Sequence, residues 1–171
     1  MYMRKSLLEK IEPAMIDLYG APLTAPGRYE LRPDARRFET WEKNYSVRLG
    51  LRAAVDYALD IGLEAIEERC NHLSSKLREG LRGMSAVSVH DLGAHLASIV
   101  SFTVSGWDAQ AVMAYLTGKG INVSVSPPSS TPVDAYTRQL PPVVRASPHY
   151  YNTEEEIDAF LEAIAGIASY E

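Results

Sequence analysis

The stretch from Leu140 to Ile164 leaves the chain little freedom of fold. Val143 to Ala146 reads as a short strand, a turn follows, and then a helix opens with an explicit start signal. Thr153 stands three residues before Glu156, the spacing of a capping box. The threonine hydroxyl can accept from the N–H three residues on, while the glutamate reaches back to the cap. Glu154 and Glu155 add negative charge to the first turn, where the helix dipole favours it. Ile157, Phe160, Leu161, Ile164 and Ile167 recur at helical spacing, so one face is expected to be buried. A strand that runs directly into a capped amphipathic helix belongs to a layered α/β or α+β domain.

Arg145 is the residue that this pattern does not explain. It lies beside two valines at the end of the strand, just before the helix-initiating loop. A guanidinium is planar, permanently charged and forked, which suits it to bidentate capture of a carboxylate. An exposed arginine on an edge strand is more commonly a surface or ion-paired group. The strand-to-helix junction favours the ligand reading, because such junctions are where scaffolds place ligand-contacting groups.

Upstream, the chain changes character twice. Residues 1–43 carry Pro13, Pro22, Pro26, Gly27 and Pro33, interleaved with Tyr19, Tyr29 and Phe38. This spacing forbids a continuous helix or a central strand. The region is expected to be an extended arm, exposing Leu7, Leu8, Ile11, Tyr19, Leu23 and Phe38 for burial against a partner. Residues 44–171 are expected to form a small domain. From Tyr45 a helix is predicted, with Val47, Leu51, Ala54, Val55, Ala58 and Leu59 on one face and Gly62 as its stop. A second helix places Leu63, Ile66, Cys70, Leu73, Leu77 and Leu81 on a stripe, so Cys70 reads as a buried, inert thiol.

Strands follow around Val87 to Val89 and Ile99 to Val104. A helix capped by Asp108 is next, then alternation at Ile121, Val123 and Val125, then an irregular, rigid, polar loop from Pro127 to Tyr136. The order is ββαββα after a helix pair: a small, mainly antiparallel sheet with helices on one face.

Composition narrows the function. A net charge of −5 with no basic cluster argues against nucleic acid. The single cysteine cannot form an internal disulfide. No stretch approaches membrane-spanning length, and the N-terminal residues lack the apolar core of a signal peptide. The expectation is a soluble, cytoplasmic protein that touches neither membrane nor nucleic acid. Cys70 and His72 lie on different faces of a helix, and the other histidines show no metal spacing, so no metal site is expected.

Several stretches, in order, resemble the class V aminotransferases, a family that includes cysteine desulfurases and isopenicillin N epimerase-like enzymes. They are Arg37-Phe38-Glu39, Gly50-Leu51-Arg52-Ala53-Ala54-Val55, Ile61-Gly62-Leu63-Glu64-Ala65-Ile66, Ile99 to Val104, Leu116 to Ile121 and Val144 to Asp158. The resemblance implies the C-terminal part of a fold-type I pyridoxal-phosphate enzyme acting on an amino acid, as an aminotransferase, epimerase or lyase. It gives Arg145 the role of binding the substrate α-carboxylate. Met1-Tyr2-Met3-Arg4 resembles the strand that follows the Schiff-base lysine, so the chain is expected to begin just past that lysine and to be inactive alone. Pyridoxal phosphate is then expected in the full-length enzyme but not on this chain by itself.

Two positions depart from the family. Glu42 stands where a threonine contacts the cofactor phosphate of a neighbouring subunit, and a carboxylate repels a phosphate. Thr40 and Lys43 are the nearby groups able to take that contact. Ser129 lies nearest the place of the desulfurase cysteine, and its hydroxyl cannot form a persulfide. A homo-oligomer is implied. The competing reading is a small amino-acid-binding or interaction domain without catalysis.

Overall fold

The computed structural model describes residues 3–8 and 10–168, in two compact units divided between Tyr57 and Ala58. In the first unit the prolines act as expected. Short 3-10 turns at Lys5–Leu7 and Ala35–Phe38 flank a hairpin of β1 (Leu23–Ala25) and β2 (Arg28–Tyr29). Gly27 closes that hairpin at φ 73°, a conformation that side chains with a Cβ resist. The segment is braced through Asp17. Its Oδ1 accepts from the N–H groups of Tyr19 (2.8 Å) and Gly20 (3.1 Å), and its Oδ2 from that of Trp41. These donors, Trp41 foremost, hold the Asp17 carboxyl below its usual value.

Helix α1 (Tyr45–Ile61) starts on Asn44, whose Oδ1 accepts from the N–H of Val47 at 3.0 Å. Its expected apolar face exists in sequence but stays uncovered, and no α1 residue is buried. Among the described residues of this unit, the buried apolar side chains are Leu8 and Ala21. Leu8, expected on the surface, is therefore a correction. The chain turns back on itself beside it, and the Leu8 carbonyl accepts from Arg37 Nη1 at 2.6 Å.

The second unit holds a continuous core. Gly62, at φ 96°, begins α2 (Leu63–Arg82). Strands β3 (Val87–Val89) and β4 (Val100–Val104) follow, then α3 (Ala109–Gly118), β5 (Ser124–Ser126), α4 (Pro132–Arg138), β6 (Val143–Ala146) and α5 (Glu154–Ala168). The sheet has the order β3-β4-β6-β5 and is antiparallel throughout. Strand alternation sends Val100, Phe102, Val104, Val144 and Ala146 to one face. There they meet Leu73, Leu77 and Leu81 of α2, Val112 and Leu116 of α3, and Phe160 and Ile164 of α5. The rings of Phe102 and Phe160 lie edge to face at 5.9 Å. Each such side chain contributes about 1.5–3 kcal/mol by leaving water. The capping box of α5 is formed in both directions. The Glu156 N–H donates to Thr153 Oγ1 (3.2 Å), and the Thr153 N–H donates to Glu156 Oε2 (2.9 Å). Leu161, expected on the buried stripe of α5, is only partly covered and lies against Gly80 of α2.

The ββαββα order holds with one insertion. The loop expected to be irregular contains α4, whose Asp134 and Arg138 pair at 3.0 Å. It buries only Ala135, so it carries no apolar stripe for sequence periodicity to detect. The strand expected from Ile121 begins at Ser124 instead, because the Ile121 N–H is taken by the Leu116 carbonyl (3.0 Å) at the end of α3. Similarly, β4 begins at Val100, and Ile99 is exposed.

Candidate functional site

The face of the sheet turned away from the core is polar. Cα register places Arg145 of β6 directly opposite Ser101 of β4 on one side and Ser124 of β5 on the other. Opposed residues in an antiparallel ladder share a face, so these three side chains form one row across three strands. Ser88 and Thr103 are paired further along the same face, and Ser126 lies opposite Val143. Arg145 is exposed between the buried Val144 and Ala146. Among the described residues its guanidinium has neither an ion pair nor a hydrogen bond. A forked cation on a polar ledge, with no internal counter-ion, has the chemistry that carboxylate capture requires.

The row is anchored from behind by a residue that periodicity alone does not single out. Arg78 of α2 is 4% exposed. Its Nε donates to Asp91 Oδ2 at 2.8 Å, and its Nη2 to the carbonyls of Ala97 and Ile99. Asp91 Oδ1 in turn accepts from the Ser101 N–H (2.9 Å) and hydroxyl (2.5 Å). The signal available in sequence was an arginine next to Leu77 on the apolar stripe, where a charge survives only if paired. At the end of β3, His90 Nε2 lies 2.9 Å from Thr103 Oγ1. Burial, and then the charge of Arg138, push its pKa down, so His90 is neutral at pH 7.

Thr40 and Lys43 belong to the first unit. The Thr40 hydroxyl donates to the Glu42 carbonyl at 3.3 Å, and Lys43 is ion-paired with Glu39 and lies 4.7 Å from the Tyr19 ring centre. Glu39 holds Lys43 charged and raises its pKa. Lys43 is thus paired with Glu39, and an exposed Glu42 stands next to it. Arg37 likewise faces inward to the Leu8 carbonyl.

Ser129 lies in a 3-10 turn, Pro128–Ser130, and is exposed. A groove of about 420 Å³ between α5 and the loops after α3 and β6 is lined by Asn122, Ser147, Tyr151 and Phe160, and Arg145 is not on its wall. It is a seam between packed elements, whereas the unneutralised charge lies on the opposite sheet face. Among the described residues no cluster of ligating side chains could hold a metal, and no helix is long and apolar enough to cross a membrane.

Comparison with known proteins agrees with this architecture. Residues 1–160 match the family model for aminotransferase class-V. A probable cysteine desulfurase of Xylella fastidiosa (strain 9a5c) is 33% identical over 128 residues, covering 75% of this chain and 30% of the relative. A cysteine desulfurase of Serratia proteamaculans (strain 568) is 29% identical over 172 residues, covering 98% of this chain and 41% of the relative. The apo structure of the cysteine desulfurase from Thermococcus onnurineus NA1 superposes with a TM-score of 0.81 at 28% identity, over 98% of this chain and 42% of that one. The cystine C-S lyase C-DES, solved with its product cysteine persulfide, superposes with a TM-score of 0.71 at 26% identity, over 96% of this chain and 41% of that one. The chain thus spans well under half the length of these relatives, and its fold is that of the fold-type I pyridoxal-phosphate enzymes they represent. On the family match and the shared fold together, this chain is a member of the aminotransferase class-V family.

Proposed function

We propose that this chain is the substrate-carboxylate portion of a pyridoxal-phosphate enzyme that acts on an amino acid as an aminotransferase, epimerase or lyase. The observation that carries the reading is Arg145: exposed, without an internal partner, and centred in a row of hydroxyls on the polar sheet face. The cofactor would supply the electron sink for carbanion chemistry. This chain's part is to hold the amino acid by its carboxylate and so fix which bond faces the cofactor.

The Schiff-base lysine is proposed to lie outside these residues. Lys43 and Lys76 are ion-paired, and Lys119 is seated over the Tyr115 ring. Thr40 and Lys43 are proposed as edge contacts to the cofactor phosphate, available only if the Lys43–Glu39 pair opens. The serine at position 129 argues against desulfurase chemistry of the persulfide type, which requires a thiolate nucleophile. The exposed apolar residues of the first unit support a homo-oligomeric enzyme, and a cytoplasmic location is proposed with it.

The test is to join the chain to a lysine-bearing cofactor domain of the family. Cofactor-dependent turnover of an amino acid should appear in the joined protein and not in the isolated chain. Borohydride fixation of pyridoxal phosphate to a lysine of the isolated chain would contradict the division of labour.

A further inference from the structure

The two serines flanking Arg145 are not equivalent. Ser101 has spent its only proton, because its hydroxyl donates to Asp91 Oδ1 at 2.5 Å and the Asp91 carboxylate is fixed in place by Arg78. What Ser101 can show a ligand is lone pairs, and lone pairs repel a carboxylate oxygen. Ser124, on the other side, has a half-buried side chain whose hydroxyl meets no hydrogen-bond partner among the described residues. Its proton is free to be donated. The next residue on the same face of β5, Ser126, is in the same condition.

The β4 side offers no compensating cation. The hollow there is lined by Arg78, His90, Asp91 and Arg138. Arg78 is committed to Asp91 and two carbonyls, and Arg138 to Asp134 and the His90 carbonyl. His90 is neutral at pH 7.

We infer that Ser124 is a second substrate-contacting residue, donating its hydroxyl to the carboxylate held by Arg145. The amino acid is thereby placed over the β6–β5 side of the sheet and away from β4. The inference rests on the carboxylate-anchor reading of Arg145 and adds a direction to it. Two donors converging from adjacent strands fix both oxygens of a carboxylate in one plane, whereas a lone arginine leaves the group free to slide along its fork.

The experiment is an NMR titration of the intact chain with L-alanine, following the Arg145 Nε–H signal, repeated with acetate. Four proteins are compared: wild type, Ser124→Ala, Ser101→Ala and Arg145→Lys, with the amide spectrum of each serving as a check on folding. The expected result is saturable binding to wild type, affinity lowered about three- to tenfold in Ser124→Ala, and affinity unchanged in Ser101→Ala. In Arg145→Lys, followed by the Ser124 amide, binding should be nearly lost. If Arg145→Lys binds like wild type, or wild type does not saturate, the anchor reading itself fails. If Arg145→Lys loses binding while Ser124→Ala does not, the anchor stands and Ser124 is not a contact. Weakening in Ser101→Ala alone would place the ligand on the β4 side and overturn the inference. Should Ser101→Ala disturb the fold, Ser124→Thr, which retains the hydroxyl and keeps the affinity if the inference holds, decides the matter.

Discussion

The two units of this chain solve the problem of burial in opposite ways. From Ala58 onward, a four-stranded sheet and three helices enclose a core in which Leu73, Val100, Phe102, Leu116, Val144 and Ile164 are fully sequestered. Up to Tyr57, only Leu8 and Ala21 are buried apolar residues among those described, while Met15, Leu18, Trp41, Val47, Leu49 and Leu51 are more than half exposed. Between α1 and α2 the difference is not one of composition, because both helices carry apolar residues at regular spacing. It is one of covering. The later unit supplies its own opposing layer, whereas helix α1 presents leucines and valines with nothing described against them. The chain matches about two fifths of the length of its full-coverage relatives.

Truncating an apolar residue in each unit should separate the two most widely. Phe102→Ala should cost about 3–5 kcal/mol of unfolding free energy, since it empties a fully buried ring site. Leu49→Ala on α1 should change stability by no more than about 0.5 kcal/mol in the isolated chain. Urea denaturation of the two variants measures both. Similar losses would mean that α1 is covered after all.

Next in size is the buried pair of the later unit. Arg78→Ala leaves Asp91 without its cation and should cost about 3 kcal/mol. It should also shift the Ser101 amide resonance, because Asp91 is then free to reorient. A neutral effect would show that the loop from His90 to Ile99 is held by something other than this pair.

A smaller effect sharpens how α2 and α5 are held. Arg69, His72 and Lys76 converge on Glu154, at 3.4, 3.1 and 3.7 Å. The hydrogen bond to His72, then that to Arg69, hold the Glu154 carboxyl below its ordinary value of 4.5. A depressed folded-state value means that the stabilisation is complete above the unfolded value and is lost as pH falls through the folded one. The stability gap between the natural chain and Glu154→Gln should therefore shrink as pH falls below about 4.5. A gap independent of pH would remove the charge from the explanation.

How much was legible in the sequence follows the same division. Where apolar periodicity met an explicit start or stop residue, as at Thr153, Asp108 and Gly62, the elements stand as expected. The failures share a cause. Helix α4 buries one alanine and so left no stripe. Ile121 belongs to a strand by alternation but gave its N–H to the end of α3. Leu8 is buried by a chain reversal that no local pattern announces. For the candidate site, Arg145 was visible as a charge out of place in a strand, and the family resemblance gave it a role. Its serine neighbours were not visible, because which residues face one another across strands is set by register. Arg78 was hidden for the opposite reason, since a charged residue on an apolar stripe reads as an interruption until its partner is known.

Arg145 can serve a ligand or brace the fold, and one variant separates the two. In the chain joined to a lysine-bearing cofactor domain, Arg145→Lys keeps the charge and removes the fork. Loss of a charge-assisted hydrogen bond, about 1.5–3 kcal/mol, should lower kcat/KM roughly ten- to hundredfold while the melting temperature stays within about a degree. An unchanged kcat/KM with a lowered melting temperature would show that the arginine braces the sheet, and would contradict the account.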